Sequence, residues 1–404
     1  MIEQEHRALG GVILLCSTDA HAAMLAPVAQ QLEALGWHAT LLTLDRYYSQ
    51  GATAAAQSRW DDVRELVAPG GVGSRGFYRR SVPRIWRDVI RARAPVRRQL
   101  SELNPRVVVV GNDRGLIEKL VLANARALGA RTILVQDGHL GPRPTPDLEL
   151  KRRIRRRSRG IMSWFLRRIG GLTFAATTYG TWGCDRVCAS GQEGAMAFRS
   201  RGVPAARIVI TGQPRYDRLP PVSRPGRGVI CFTTPFATQN LGTKAQSNQR
   251  ALVVEIARTL QSAEVPFSVK PHPREQAADY DSIEGLDTRS ADDSPSQALQ
   301  GAELALVGIS TVVEEAVLAR VPVGVLGRRV HGMAFDELLP DADAFPRVES
   351  GEDVLRLVMS LREGSIDRED LLNRETAAVL ERVSQDPIRS AASRVASVVS
   401  ELVR

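Results

Sequence analysis

Residues 217–228 read "DRLPPVSRPGRG", and this stretch divides the chain into two halves of similar pattern. Its prolines lack a backbone N–H and its glycines favour turns, so neither a helix nor a sheet can continue through it. We therefore predict an interdomain linker at residues 218–228, between a first domain at 1–217 and a second at 229–404. A chain of 404 residues is long enough for two domains with separate hydrophobic cores.

On each side of the linker, short apolar runs alternate with longer stretches of helical periodicity. Before the linker, we predict strands at 12–16, 39–44, 106–110, 132–136, 186–190 and 207–211. After it, we predict strands at 229–233, 267–270, 304–307 and 322–326, and helices from 366 to the end of the chain. This alternation favours two doubly wound α/β domains, each with a mostly parallel sheet. Two such domains would line a ligand cleft with the carboxyl ends of their strands.

The positive charge of the chain is concentrated in one segment. Residues 151–168, "KRRIRRRSRGIMSWFLRR", hold nine Lys and Arg and no acid, which equals the formal net charge of +9. Arginines such as Arg155 and Arg156 stand close to Trp164 and Phe165, a combination typical of a segment on an anionic membrane surface. A solvated charged loop is the alternative. Nucleic acid is disfavoured as a partner, because no stacking aromatics interleave with the arginines.

Cysteine use and hydropathy predict a cytoplasmic protein at the inner face of the cell membrane. The four cysteines form neither a disulfide framework nor a zinc-binding pattern. The N-terminal residues lack the basic region of a signal peptide, and no apolar stretch approaches the roughly 18 residues of a membrane span. Together with the basic segment, these features indicate a peripheral association.

The stretch "FSVKPHPRE" (267–275) places a histidine between two prolines at the end of a predicted strand. Pro271 ends the strand, because it cannot donate to the ladder, and so holds His272 at the rim of the sheet. An imidazole at that point can donate to a phosphate or protonate a leaving group, with Lys270 beside it. The alternative is a solvated loop histidine without a function.

A second candidate site lies in "ALVGISTVVEEAVLARVPVGVLG" (305–327). Ser310 and Thr311 follow a strand and begin a helix, where hydroxyls and free backbone N–H groups bind anions. Glu314 and Glu315 lie one turn later and can accept hydrogen bonds from ribose hydroxyls. The alternative is an ordinary helix start, with Ser310 as cap and two acids favoured by the helix dipole.

The stretch "TILVQDGHLG" (132–141) places Asp137 directly after a buried-type strand. A carboxylate at that edge can act as the general base on an acceptor hydroxyl, although Asp-Gly is also common in ordinary turns. His139 and Asp113 are secondary candidates on the acceptor side, and we expect Asp113 to cap the helix that follows it. The sequence contains no phosphate-binding P-loop and no convincing metal motif, so we predict neither a metal nor a cofactor.

These motifs resemble those of GT-B-fold transferases, and the resemblance covers most of the chain. The segment "ITGQPRYDRL" (210–219) is similar to the G-x-P-R-x-D segment of CDP-glycerol glycerophosphotransferases. "KPHP" and "IST" are similar to motifs shared by those enzymes and bacterial sialyl- and polysialyltransferases. "QDG" resembles the acidic-Asp-Gly motif of the sialyltransferases, with Gln136 in place of the first acid.

The resemblance implies a GT-B architecture, in which two Rossmann-like domains face a central cleft and C-terminal helices close the second. The first domain would bind the acceptor and the second the donor. Asp137 would be the general base, His272 would assist departure of the nucleotide, and Ser310 and Thr311 would bind its phosphate. The implied function is a metal-independent glycosyltransferase or glycerophosphotransferase of capsule or teichoic-acid biosynthesis. Its donor would be CMP- or CDP-linked, and its acceptor a polysaccharide or a lipid-linked chain.

Two alternatives remain open. "GND", "QDG" and "GISTVVEEA" are also similar to motifs of UDP-N-acetylglucosamine 2-epimerases, which use UDP-linked sugars. However, "PTPDLELKRR" stands where that family has Pro-Glu-Glu-x-Asn-Arg, and Asp137 stands where it has Glu. These departures argue against epimerase activity. The other alternative is a non-catalytic nucleotide-binding partner in polysaccharide export.

Overall fold

The computed structural model describes residues 10–48, 51–68, 82–138, 178–217, 219, 222, 226–236, 243–272, 275, 280, 286–290, 293–331, 344–386 and 388–403. The chain divides into two compact units. The first consists of Met1–Asp217 and Arg382–Arg404, and the second of Arg218–Glu381.

The strands belong to two sheets, one in each unit. In chain order they are β1 (Gly11–Cys16), β2 (His38–Thr43), β3 (Val63–Glu65), β4 (Pro105–Val110), β5 (Arg131–Val135), β6 (Arg186–Ala189), β7 (Ile208–Ile210), β8 (Gly228–Phe232), β9 (Phe267–Lys270), β10 (Asp287–Thr288), β11 (Ala302–Val307), β12 (Val323–Leu326) and β13 (Arg347–Val348).

The helices that the structure describes alternate with the strands along most of the chain. They are α1 (Asp19–Ala34), α2 (Asp45–Tyr48), α3 (Ala52–Gln57), α4 (Val82–Leu103), α5 (Leu116–Ala127), α6 (Gln192–Ser200), α7 (Thr243–Ser262), α8 (Pro295–Ala298), α9 (Val312–Leu318), α10 (Arg328–His331), α11 (Gly351–Glu363), α12 (Arg368–Arg382) and α13 (Ala391–Val403). None of them is both long and apolar enough to cross a membrane.

In the first unit the strand order is β3-β2-β1-β4-β5-β6-β7, and every pair is parallel. The central strands are almost entirely apolar because helices cover both faces of the sheet. Along β1, Ile13 and Leu15 enter one core layer, while Val12 and Leu14 enter the other. The strand order reverses between β1 and β4, and ligands bind at the carboxyl ends of strands beside such a point.

The second unit repeats this plan with the order β10-β9-β8-β11-β12-β13, again with all pairs parallel. Its strand order reverses between β8 and β11. The ten strands predicted from the sequence are confirmed to within one or two residues. Three short strands at or near the sheet edges, β3, β10 and β13, were not predicted.

The tail of the chain differs from the predicted division into domains. Residues 382–404, expected at the end of the second domain, belong to the first unit. The reason is the apolar face of α13, because Val395 and Val399 pack into the same core layer as β1 and α1. Asp217 fixes the first turn of α13 to the first unit, because its carboxylate accepts hydrogen bonds from Ala391 N–H and Ala392 N–H, each at 2.8 Å.

Candidate functional site

A histidine and an aspartate meet at the carboxyl edge of the first sheet. Asp137 follows β5, and His21 lies in the first turn of α1, which follows β1. His21 Nε2 lies 3.1 Å from Asp137 Oδ2. The His21 side chain is 4% exposed, whereas that of Asp137 is 30% exposed. Of the two, Asp137 is therefore the group that a ligand can reach.

The tautomer of His21 follows from its other ring nitrogen. Ser17 N–H donates to His21 Nδ1 at 3.2 Å, so the proton of the neutral imidazole lies on Nε2 and points to Asp137. Ser17 is itself held by Glu118, whose Oε1 accepts from Ser17 Oγ at 2.6 Å. Tyr48 OH donates to the other Glu118 oxygen at 2.7 Å. Both nitrogens of His21 are thus engaged in hydrogen bonds.

Gly111 leaves room for this pair, and Tyr179 fixes the backbone of Asp137. A Cβ atom at Gly111 would lie 2.8 Å from His21 Nε2, so only glycine fits at the end of β4. The Asp137 N–H donates to Tyr179 OH at 2.9 Å, and that hydroxyl donates to Gly111 O at 2.8 Å. The backbone of Asp137 is therefore fixed to the neighbouring strand.

Arg215 reaches the pair from the turn after β7. It belongs to "GQPRYD", whose Pro214–Tyr216 form a single 3-10 turn. Arg215 Nη1 lies 3.8 Å from Asp137 Oδ1, and the guanidinium lies 4.8 Å from the centre of the Tyr216 ring. Asp137 Oδ1 is buried and accepts no hydrogen bond from the residues that the structure describes.

The charges around Asp137 keep its carboxylate ionised. Burial raises the pKa of Asp137, but His21 and Arg215 more than offset this effect and lower the pKa to about 2. Burial lowers the pKa of His21, but the carboxylates of Asp137, Glu118 and Asp19 together raise it by more, so the pKa of His21 is above its ordinary value. At neutral pH, Asp137 is consequently a carboxylate that accepts a hydrogen bond from His21.

The prediction that Asp113 caps the next helix was wrong, because Gly115 occupies the N-cap of α5. Asp113 is fully buried and accepts hydrogen bonds from Gly180 N–H at 2.9 Å and Trp182 N–H at 3.1 Å. Burial raises the pKa of Asp113. The residue anchors the loop that carries Tyr179 and does not face a ligand.

Gln136, which departs from the acidic-Asp-Gly pattern, has a local structural explanation. Its Nε2 donates to Gly138 O at 2.8 Å, and its Oε1 accepts from Ser190 N–H at 3.0 Å. A carboxylate cannot donate the first of these bonds. The amide is therefore required by the backbone around Asp137.

In the second unit, the two motifs predicted to bind phosphate lie at the same sheet edge. Lys270 ends β9 and Ser310 follows β11, and these strands flank β8 on either side. Lys270 is buried, whereas His272 is partly exposed. The His272 N–H lies 3.1 Å from both Thr233 Oγ1 and Glu275 Oε2. These two side chains fix the backbone at His272.

The helix after β11 begins where it was predicted, but Thr311 and not Ser310 occupies its N-cap. Ser310 Oγ accepts from Val312 N–H at 3.3 Å. Glu314 is fully buried and Glu315 is partly exposed. Of the two acids proposed for ribose, Glu315 is the one that a ligand can reach.

Several predicted residues lie outside the described residues. These are His139 and the basic segment 151–168, with Arg155, Arg156, Trp164 and Phe165. Conversely, sequence reasoning did not identify His21, Arg215, Glu118 or Thr233. For two of them, position along the chain could have served as a signal. His21 follows β1 at the point where the strand order reverses, and Thr233 follows β8 at the corresponding point of the second sheet.

No protein-family model and no curated protein matches the chain. Solved structures match over nearly its whole length. The glycosyltransferase of kitacinnamycin has a TM-score of 0.64 at 12% identity, covering 98% of this chain and 99% of that one. For the calicheamicin glycosyltransferase CalG4, the TM-score is 0.59 at 13% identity, with 98% of each chain covered.

The UDP-N-acetylglucosamine 2-epimerase of Methanocaldococcus jannaschii, solved with UDP-N-acetylglucosamine and UDP, has a TM-score of 0.60 at 15% identity. The match covers 97% of this chain and 99% of that one. Identities this low show the fold and not the reaction. The chain therefore has the two-domain α/β architecture of GT-B enzymes, with one doubly wound parallel sheet in each unit.

Proposed function

We propose that this protein is a glycosyltransferase that uses a nucleotide-activated donor, with Asp137 as its general base. One observation carries the proposal: an ionised aspartate, whose side chain is 30% exposed, lies at the carboxyl edge of the first sheet and is held by a buried histidine. A general base must be in its proton-accepting form and have a fixed orientation. The charge of Asp137 and its hydrogen bond from His21 supply both.

In the proposed reaction, the acceptor hydroxyl gives its proton to Asp137 while its oxygen attacks the anomeric carbon of the donor. The bond between that carbon and the phosphate oxygen breaks, and the phosphate keeps the electron pair. His21 is a positioning residue in this scheme. Its Nδ1 lone pair already accepts from Ser17 N–H and its Nε2 proton is donated to Asp137, so neither nitrogen is available to the acceptor.

The second unit would bind the donor, and the first the acceptor. His272 would contact the departing phosphate, together with the hydroxyls of Ser310 and Thr311, and Glu315 would contact the ribose. The motif resemblance favours a cytidine-linked donor. It also favours an acceptor of cell-surface polysaccharide biosynthesis, polymeric or lipid-linked, at the inner face of the membrane. A glycerophosphate in place of a sugar would use the same groups.

The test compares Asp137→Asn with His21→Gln by measuring nucleotide release from cytidine- and uridine-linked donors in the presence of a total lipid extract. Asp137→Asn keeps the hydrogen bond from His21 but cannot take a proton, so kcat/KM should fall by about 10²–10⁴. The side-chain amide introduced by His21→Gln can still donate to Asp137, so this variant should lose less activity. The exposed Asp61→Asn serves as a control that should leave activity unchanged.

The pH profile decides between the two candidate bases. Because the pKa of Asp137 is about 2, kcat/KM should show no acid limb from this group between about pH 5 and 8. An acid limb in that range that disappears in His21→Gln, combined with an active Asp137→Asn, would assign the base to His21 and contradict the proposal.

An epimerase is the second candidate, because a structure similar over the whole chain was solved with UDP-N-acetylglucosamine. The two reactions differ in their requirement for an acceptor. We expect no epimer when the protein is incubated with UDP-N-acetylglucosamine alone and followed by proton NMR. Formation of the 2-epimer would replace the transferase proposal, and nucleotide binding without any turnover would indicate a non-catalytic partner.

A further inference from the structure

Helix α4 has one face in the core of the first unit and one face in solvent. Its buried residues recur every three or four positions, at Val89, Ala92, Val96 and Leu100, and share a core layer with apolar residues of α5. This packing fixes the rotation of the helix about its axis. The opposite face is therefore defined by the structure and not only by the sequence pattern.

The solvent face of α4 is strongly basic. Its exposed arginines are Arg87, Arg91, Arg93, Arg97 and Arg98. The acids on the described part of this helix are Asp88, which is buried and lies 3.8 Å from Arg87 Nε, and Glu102 beyond the arginines. From Arg87 to Arg98 the stripe is about 16 Å long, at 1.5 Å per residue. Ile90, in the first half of this stripe, is 45% exposed.

We propose that this face of α4 binds an anionic lipid surface. Guanidinium groups pair with the phosphodiester oxygens of lipid headgroups in a bidentate geometry. An exposed isoleucine among the cations can enter the boundary between headgroups and acyl chains, as in interfacial helices. The side chains that the structure describes on α4, at residues 87–103, include no aromatic group on which a base could stack, which makes single-stranded nucleic acid the poorer partner of these arginines.

The position of α4 relates this surface to Asp137. The helix connects the carboxyl end of β3 to the amino end of β4, so its first turns lie toward the carboxyl edge that carries Asp137. A membrane against α4 would then be on the side where a lipid-linked acceptor is needed. This consequence rests on the proposed function, whereas lipid binding itself does not.

The experiment is co-sedimentation of the full chain with vesicles of phosphatidylcholine alone or with about 30% phosphatidylglycerol. The wild type should bind only the anionic vesicles, and less at high salt, because exposed charges are screened. In the variant Arg91→Gln, Arg97→Gln, Arg98→Gln, partitioning should fall at least about tenfold, since each arginine near the surface contributes separately. The control Arg199→Gln, Arg207→Gln, Arg258→Gln removes the same charge from other exposed positions and should bind like the wild type.

A second variant separates lipid from other polyanions. Ile90→Ser should weaken vesicle binding while leaving binding to heparin unchanged, because only a bilayer offers an apolar phase. Unchanged vesicle binding by the triple arginine variant would overturn the proposal. Tighter binding to a random DNA duplex than to anionic vesicles would also overturn it, if the triple arginine variant loses that DNA binding. Neither readout uses catalysis, so a failed glycosyltransferase proposal would leave this result interpretable.

Discussion

Asp137 is held by groups from three separate parts of the chain. His21 donates to its carboxylate, Arg215 lies beside the other carboxylate oxygen, and Tyr179 accepts from its backbone N–H. Asp113 in turn holds the loop of Tyr179. The carboxylate is therefore oriented before any ligand arrives, and a pre-oriented base avoids the cost of reorganisation during the reaction.

Tyr179→Phe tests whether this support matters for turnover. The change removes the acceptor for Asp137 N–H and the donor to Gly111 O, so the free energy of unfolding should fall by about 1–3 kcal/mol. If Tyr179 positions the base, kcat should fall more than KM rises. Urea unfolding and steady-state kinetics on the same samples measure both quantities.

Tyr47→Phe is the matched control for that prediction. Tyr47 is also buried, and its hydroxyl donates to Val67 O at 2.8 Å. We expect a comparable loss of stability without a change in kcat. Equal kinetic effects of the two substitutions would show that Tyr179 acts only through stability.

Residues at strand ends were accessible to sequence reasoning, and their partners were not. Asp137 and His272 were identified because each lies two residues after the end of a strand. His21 was missed because its neighbour in space is 116 positions away, and only the order of the strands brings the two together. Asp113 was assigned to the wrong partner for the same reason, since its hydrogen-bond donors come from a loop later in the chain.

At the level of elements, the long central strands were predictable, whereas three of the short outer strands, β3, β10 and β13, were not. The two-residue strands β10 and β13 contain too few positions to show a period. The periodicity of α13 correctly indicates an apolar face. It cannot indicate which sheet that face covers, and this ambiguity explains the assignment of the tail to the second domain.

Helix α12 carries a buried carboxylate that should make stability depend on pH. Glu375 is fully buried, and its Oε1 accepts from Val323 N–H of β12 at 3.0 Å. Burial raises the pKa of Glu375 to about 8. The folded protein therefore keeps a proton that the unfolded chain has lost above about pH 4.5. This group stabilises the fold fully below that pH, and its contribution is lost as the pH rises towards 8.

We therefore expect the free energy of unfolding to fall between about pH 5 and 8, by up to about 1.4 kcal/mol per pH unit from this group. Glu375→Gln keeps the acceptor for Val323 N–H and does not titrate, so it should flatten the profile. Chemical denaturation at several pH values measures the slope, and the exposed Glu363→Gln is the control. A slope that persists in Glu375→Gln would assign it to other groups.

At the level of the whole molecule, neither the fold nor the net charge identifies the function. Glycosyltransferases and an epimerase match this chain about equally well, at TM-scores from 0.59 to 0.64. The reaction must therefore be argued from individual residues. The net charge of +9 equals the charge of residues 151–168, so the rest of the chain is formally neutral. The arginines of α4 are balanced by acids elsewhere and do not show in the net charge. A local surface of this kind becomes visible only when the helix is placed in the structure.

Nucleotide binding provides the test that applies to the whole chain. If the second unit binds the donor, CMP or CDP should raise Tm in thermal unfolding, and a ligand at about a hundred times its Kd adds about 2.7 kcal/mol. His272→Ala should reduce that shift, because the imidazole is proposed to contact the phosphate. His38→Ala, an exposed histidine of the first unit, should not. If only UDP or UDP-N-acetylglucosamine raises Tm, the donor is uridine-linked and the epimerase is favoured. If no nucleotide raises Tm, the proposal of a nucleotide-activated donor is contradicted.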